Sequence, residues 1–173
     1  MLLSVAEKIE AAERVFDTLR NMAAYTVAKR VLLYHSLDDE LSTRQFLENA
    51  VESSGKTFYL PRVNGVNLEI LPYDRTRMHL GAFRIEEPDG DDVVSIDDID
   101  LVIVPGVAYD RKGNRVGRGK GFYDRLLSER RKNLTTIGVC YSFQLVDEID
   151  AEDHDVAVDF VITDGHGVIR ASR

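Results

Sequence analysis

Apolar positions recur along the chain in two rhythms that alternate with one another. Ser4-Val5-Ala6-Glu7 reads as a capping box. Ile9, Ala12, Phe16, Leu19 and Ala23 follow at steps of three and four, which predicts an amphipathic helix whose outer face is acidic at Glu7, Glu10 and Glu13. Arg30 to Ser36 is a short apolar run of the kind a buried strand needs. Ser42 and Thr43 then cap a helix carrying Phe46, Leu47, Ala50 and Val51, which Gly55 closes. Thr57 to Leu60 reads as a second strand, and an Asn64-Gly65 turn followed by the alternating Val66 to Leu71 predicts a hairpin with it.

From Glu86 to Asp100 the chain is dense in Asp and Glu and keeps neither hydrophobic period, so it is expected to be an exposed connection inside one domain. Leu101-Val-Ile-Val-Pro105 is the strongest strand signal. A glycine-rich loop runs from it to Gly121, and a helix is expected over Phe122 to Lys132. Thr136 to Cys140 and Phe160 to Thr163 read as two further buried strands. The alternation predicts one α/β domain over 1–173, a three-layer α/β/α sandwich. Its sheet is expected to be mostly parallel, and mixed if the hairpin joins it, with ligand chemistry outside the carboxyl ends of the strands.

A chain of 173 residues suits a single core. No apolar run approaches the roughly 20 residues of a membrane span, and Met1 to Ser4 has no charged segment leading into an apolar one. The expectation is a soluble cytoplasmic protein with no membrane partner. Cys140 is the only cysteine, which excludes an intrachain disulfide, and inside an apolar strand it reads as a small buried residue. His35, His79, His154 and His166 show no paired metal-ligand spacing.

Charge changes the picture more than composition does. The net charge is −8, yet residues 111–132 carry +7 and the rest of the chain −15. Nucleic-acid binding needs a broad basic face, so this distribution argues against it and for a grip on one small polyanion. Gly117, Gly119 and Gly121 alternate with Arg118 and Lys120, close behind Arg115, so tight backbone turns can present N–H groups beside cations. The spacing is neither a Walker A loop nor the dinucleotide GxGxxG fingerprint. A flexible surface loop with solvated cations is the plain alternative. Asp124, at the expected helix start, suits either the helix N-terminus or a magnesium ion, and the residues alone leave both open.

Pro105 to Arg125, read as PGVAYDxxGNRxGRGKGFYDR, closely resembles the signature of the 5-formyltetrahydrofolate cyclo-ligase (5,10-methenyltetrahydrofolate synthetase) family. Ser36-Leu-Asp-Asp-Glu-Leu-Ser-Thr43 is similar to that family's Ser-x-x-x-Glu-x-x-Thr segment, and Tyr59-Leu-Pro-Arg62, Gly81 to Pro88, Ser142-Phe-Gln-Leu and His154-Asp-Val resemble others. The resemblance runs from about Ser4 to Asp164. It implies the NagB/RpiA/CoA-transferase-like α/β fold and a monomer. It also implies ATP- and Mg2+-dependent conversion of 5-formyltetrahydrofolate to 5,10-methenyltetrahydrofolate through a phosphorylated formyl group, with release of ADP and phosphate.

By the same resemblance Arg115, Arg118 and Lys120 would be catalytic and, with Gly117, Gly119 and Gly121, would hold the nucleotide phosphates. Phe122 and Tyr123 would touch nucleotide and folate, Glu40 and His35 would line the folate pocket, and Asp124, with Asp153 as a second candidate, would hold magnesium. Two departures stand out. Relatives begin with a basic Lys-x-x-x-Arg helix ahead of the segment matching Ser4, whereas Lys8 and Arg14 lie on an acidic-faced helix. Charged hydrogen bonds contribute about 1.5 to 3 kcal/mol each, so the loss of two such contacts is expected to weaken activity unless the true start lies upstream. Arg84 stands where the resemblance implies glycine. The alternatives to an active enzyme are a non-catalytic folate- or nucleotide-binding relative and, in a different class, an interaction module docking through 111–132.

Overall fold

The computed structural model describes residues 3–53 and 55–172, with backbone alone at 51–53. The capping box forms: Ser4 Oγ accepts from Glu7 N at 3.1 Å, and the Glu7 carboxylate accepts from Ser4 N at 3.0 Å. Helix α1 (Val5–Arg20) buries Ala11, Val15, Phe16 and Leu19. The expected stripe is therefore turned, because the inward row follows i, i+4 through Ala11, Val15 and Leu19 and leaves Ile9 48% exposed. Ala23 opens a separate short helix, α2 (Ala23–Val27). After β1 (Arg30–Leu32) comes α3 (Arg44–Ser53), and Gly55, at φ 70°, follows it in the left-handed region. The side chain of Val51 lies outside the described residues.

Strands β2 (Thr57–Asn64) and β3 (Asn67–Pro72) form the expected hairpin, with Asn64 paired to Asn67. Its two-residue loop is Gly65-Val66, so Val66 belongs to the turn and not to the strand. Residues 86–100 correct the expectation of an exposed connection. Within them β5 (Glu86–Pro88) pairs with β4 (Met78–Leu80), Val94 bridges to Ile70, and Ile96 and Ile99 are buried. The many carboxylates hid four anchors: β5, Val94, Ile96 and Ile99.

The remaining elements are β6 (Leu101–Val104), β7 (Ala108–Tyr109), β8 (Arg115–Val116), α4 (Phe122–Ser128), β9 (Thr135–Cys140), β10 (Phe160–Thr163) and β11 (Gly167–Arg170). Helix α4 stops at Ser128, short of the expected Lys132, as Arg130 Nη1 donates to the Leu127 carbonyl and Arg131 is drawn to Ile99 O and Asp100. The main sheet has the order β11-β10-β9-β6-β1-β2-β3; its five inner strands are parallel, and β3 and β11 close the edges antiparallel. The mostly parallel, mixed sheet is thus as expected.

Alternation along β6 splits the core into two layers. Leu101 and Ile103 pack with α1, α2 and α3 on one face, while Val102 and Val104 pack with Tyr109, Cys140 and Leu127 of α4 on the other. Strand order reverses between β1 and β6, since β2 continues on one side and β9 on the other. Chains leaving the carboxyl ends of β1 and β6 diverge there, which opens a crevice at the topological switch point.

Candidate active site

That crevice is a cleft of about 910 Å3. The β6 side supplies its basic wall, and the wall is held from underneath by residues of the same run. Buried Tyr109 donates to the Val104 carbonyl, and buried Asp110 accepts from the N–H groups of Lys112, Asn114 and Ile149 at 3.0, 2.9 and 3.0 Å. These bonds fold the β7–β8 hairpin, which glycine density had concealed inside the loop, and they fix where Arg115 begins.

Arg115 turns inward, its side chain only 8% exposed, with Nη1 donating to Pro105 O at 3.2 Å and Nη2 lying 3.5 Å from Asp124 Oδ1. Its buried Nε has no acceptor among the described residues. Arg118 turns outward, donating to Asp39 Oδ1 at 2.6 Å with Glu40 Oε2 at 3.6 Å. Gly119 and Gly121 sit at φ 87° and 67°, so the chain needs glycine there to bend back on itself. Lys120 lies over the Phe83 ring at 5.7 Å. The three glycines, three cations, Phe122, Tyr123 and Asp124 all line the one cleft.

The opposite wall comes from the loop after β1 and from the β4–β5 hairpin. Glu40 is 8% exposed, unlike its neighbour Asp39, so it is not the solvated loop acid its acidic surroundings suggest. A clasp puts it there: Thr43 Oγ1 donates to Tyr34 O at 2.5 Å and accepts from Ser36 N, and Ser36 Oγ accepts from Thr43 N. Thr43 thus spends its hydroxyl on the loop and not on a helix cap. Glu40 Oε1 accepts from Leu37 N at 2.8 Å. Burial pushes its carboxyl above the ordinary value, against the lowering by the Leu37 N–H and Arg118.

His35 lines the same cleft, 3.3 Å from Glu86 through Nε2; burial and the nearby Arg44 hold its imidazole below the usual value despite that carboxylate. Tyr123 is pushed up by burial, and its ring lies 5.8 Å from the Arg115 guanidinium. Cys140 is fully buried in β9 with its thiol pushed up to about 12, an inert position.

For a cation, Asp124 offers its Oδ2, because among the described residues its contacts with Arg115 and with Val156 N (3.0 Å) fall on Oδ1. Asp153 is exposed on the same cleft. Among the described residues no group of three His, Cys, Asp or Glu side chains could hold a metal by itself. Magnesium usually takes one or two carboxylates and completes its shell with water and phosphate oxygens, so the donor set fits a shared site.

Two cleft residues and one residue that braces the cleft escaped the sequence. Phe83, 55% exposed, meets Phe122 edge-on at 6.3 Å. Buried Glu87 accepts from Val63 N and lies 3.2 Å from His79. Asp39 holds Arg118. A lone aromatic and scattered acids carry no local signal; the β4–β5 hairpin places Phe83 and Glu87, and the loop after β1 places Asp39.

A basic glycine loop facing a buried carboxylate across the switch point of a parallel sheet defines an α/β protein whose cleft has the chemistry to take a polyanion. The comparisons with known proteins are more particular. Residues 3–164 match the 5-formyltetrahydrofolate cyclo-ligase family. The chain is 32% identical over 161 residues to the 5-formyltetrahydrofolate cyclo-ligase of Haemophilus influenzae and 33% identical to that of Escherichia coli, in each case covering 89% of this chain and 86% of the relative. The solved structure of Aquifex aeolicus 5,10-methenyltetrahydrofolate synthetase superposes with a TM-score of 0.86 at 32% identity, over 99% of this chain and 86% of that one. A Mycoplasma pneumoniae 5,10-methenyltetrahydrofolate synthetase shares the fold, with a TM-score of 0.76 at 23% identity over 94% and 90%. The chain belongs to the 5-formyltetrahydrofolate cyclo-ligase family.

Proposed function

We propose that this chain converts 5-formyltetrahydrofolate to 5,10-methenyltetrahydrofolate with ATP and Mg2+, releasing ADP and phosphate, and that it does so as a cytoplasmic monomer. The observation that carries the reading is the single cleft in which Arg115, Arg118 and Lys120 face buried Glu40. Two unlike ligands have to meet in this reaction, and the cleft offers each of them its own chemistry.

The chain's task is positioning and charge neutralisation. Gly117, Gly119 and Gly121 let the backbone approach the nucleotide phosphates, Arg115 gives a fixed cation and Lys120 an adaptable one. The γ-phosphoryl group passes to the formyl oxygen; N10 then closes on the activated carbon and phosphate departs. Glu40, ionised, accepts hydrogen bonds from the N–H edge of the pterin ring, while Phe122 and Tyr123 flank the two ligands and His35 lines the folate side. Asp124, with Asp153, would hold Mg2+, which supplies charge neutralisation at the phosphates. Arg118, paired with Asp39 and near Glu40, is the residue through which phosphate binding is felt on the folate side.

The test is the rise in near-ultraviolet absorbance as 5,10-methenyltetrahydrofolate forms from 5-formyltetrahydrofolate, ATP and Mg2+. Product is expected with the wild type and should fall by about ten- to a hundredfold in Lys120→Ala, the loss of one strong charged contact in the transition state. No product at high enzyme concentration would reject catalysis and leave a binding protein.

A further inference from the structure

One buried side chain ties the two walls of the main cleft together without lining it. After β9 the chain makes a single tight turn, Ser142–Gln144, and then runs along the β7–β8 hairpin, where Leu145 bridges to Tyr109 and Val146 N donates to Tyr109 O at 2.8 Å. Gln144 is therefore seated on backbone that the basic wall itself holds, and it is buried there. Its Oε1 accepts from Tyr141 N at 2.9 Å, which fixes the orientation of the amide and leaves Nε2 as the donating end.

The hydrogens on Nε2 go to different walls. One reaches Val107 O at 3.2 Å, in the loop that leads from β6 into the basic wall, and the other reaches Asp39 O at 3.5 Å, in the loop after β1 and next to Glu40. The bridge thus spans the switch point between β1 and β6, and both of its ends rest on backbone. Arg118 makes another link between the walls, through the exposed side chain of Asp39. A buried amide is screened far less by water and salt than such a pair. The Asp39 bond is the longer of the two, so it is the one with room to tighten when the walls draw together.

We propose that Gln144 is a positioning residue that couples the two walls, so that a nucleotide on the basic wall and a folate on the opposite wall each strengthen the binding of the other. The inference rests on the two-ligand reading of the cleft. Gln144 touches neither ligand; it sets the distance between the Val107 and Asp39 loops, and with it the separation of Glu40 from the cations. Such coupling is reciprocal, so the gain is the same whichever ligand is added first.

Isothermal titration of the whole chain tests it, with 5-formyltetrahydrofolate added in the absence and then in the presence of saturating β,γ-imido ATP and Mg2+, which bind without transferring a phosphoryl group. The wild type is expected to bind the folate about tenfold tighter with the nucleotide present. Gln144→Glu keeps the acceptor for Tyr141 N but sets a carboxylate oxygen against two carbonyls, and the milder Gln144→Asn keeps the amide but is too short to bridge. In either variant the gain should fall to about threefold or less, the part Arg118 transmits, while each ligand alone binds within about threefold of wild type. Turnover should fall in kcat more than in KM for either ligand. No gain in the wild type, or a gain undiminished in both variants, would overturn the coupling and leave the functional reading standing. So would variants that weaken each ligand alone as much as they weaken the pair, the mark of a merely structural role. Failure of the wild type to bind either ligand would overturn both.

Discussion

The two walls of the main cleft are built on different plans. The basic wall is one unbroken run from Pro105 to Asp124, braced by buried groups of that same run: Tyr109 on Val104 O, Asp110 on two of its own turn amides, and Arg115 on Pro105 O and Asp124. The opposite wall is gathered from separate segments, with Glu40 set by the Ser36–Thr43 clasp and Phe83 and Glu87 brought by a hairpin some forty residues on. The braced wall is pre-organised to meet concentrated charge without rearranging, which is what phosphoryl transfer demands. The gathered wall can adjust to a large ring system, because each of its pieces is anchored independently.

Breaking the brace should do the most damage. Arg115→Met strands Asp124 and leaves Pro105 O unpaired; removing one partner of a buried ion pair costs about 3 to 5 kcal/mol, so thermal melting should drop by several degrees and turnover should vanish. An unchanged melting temperature would show that the wall stands without it. Glu40→Gln acts mainly on the other wall, lowering folate affinity about ten- to a hundredfold by titration, with a smaller change in nucleotide affinity passed on through Arg118.

The same residue gives a pH signature. Burial raises its folded-state value above the ordinary 4.5, so the ionised acceptor is lost, and folate affinity falls, at a higher pH than for an exposed glutamate. For stability the sign is opposite to that of a salt-bridged acid. The folded state holds the proton more tightly than the unfolded one, so this contribution is full below the unfolded value and is lost as pH rises through the raised folded one. Glu40→Gln should flatten both dependences in titrations across that window.

Gly138→Ala sharpens the comparison from below. A Cβ on this β9 residue would overlap the Tyr109 ring, so the variant should lose about 1 to 3 kcal/mol in denaturant unfolding and disturb the basic wall before the other. Asp39→Asn is the smallest change. Its pair with Arg118 is 66% and 42% exposed, so stability should move by less than about 0.5 kcal/mol in the same measurement.

What the sequence disclosed follows the same division. The basic wall was legible because its chemistry is consecutive: strand, glycines, cations and aromatic pair fall within one window. Glu40 was not separable by its own neighbours, since Asp38 and Asp39 look alike in composition; only the resemblance singled it out, and its burial is a tertiary effect of Thr43 reaching Tyr34. Strands β4 and β5 are three residues each, and β7 and β8 two, too short to display a period of two. Strand β11, as long as β10, was missed because it is a half-exposed edge strand with Gly167 and Arg170 at its ends, not an apolar run. The inward face of α1 was read one row off because Ile9 is apolar yet exposed, a choice that packing makes and helix periodicity cannot.

One carboxylate ties the cleft to the order in which the molecule is assembled. Asp100 Oδ2 accepts from the N–H groups of Lys29 and Arg30, 71 and 70 residues away, where β6 docks beside β1. The crevice therefore opens between two strands that are distant neighbours along the polypeptide. Closing so long a loop is among the slower and more entropically demanding events for a domain this size. An emerging N-terminal half carries Glu40 and can pair β1 with β2, but it lacks β6 and the basic wall, so the complete cleft arrives late and all at once, with the meeting of the two halves.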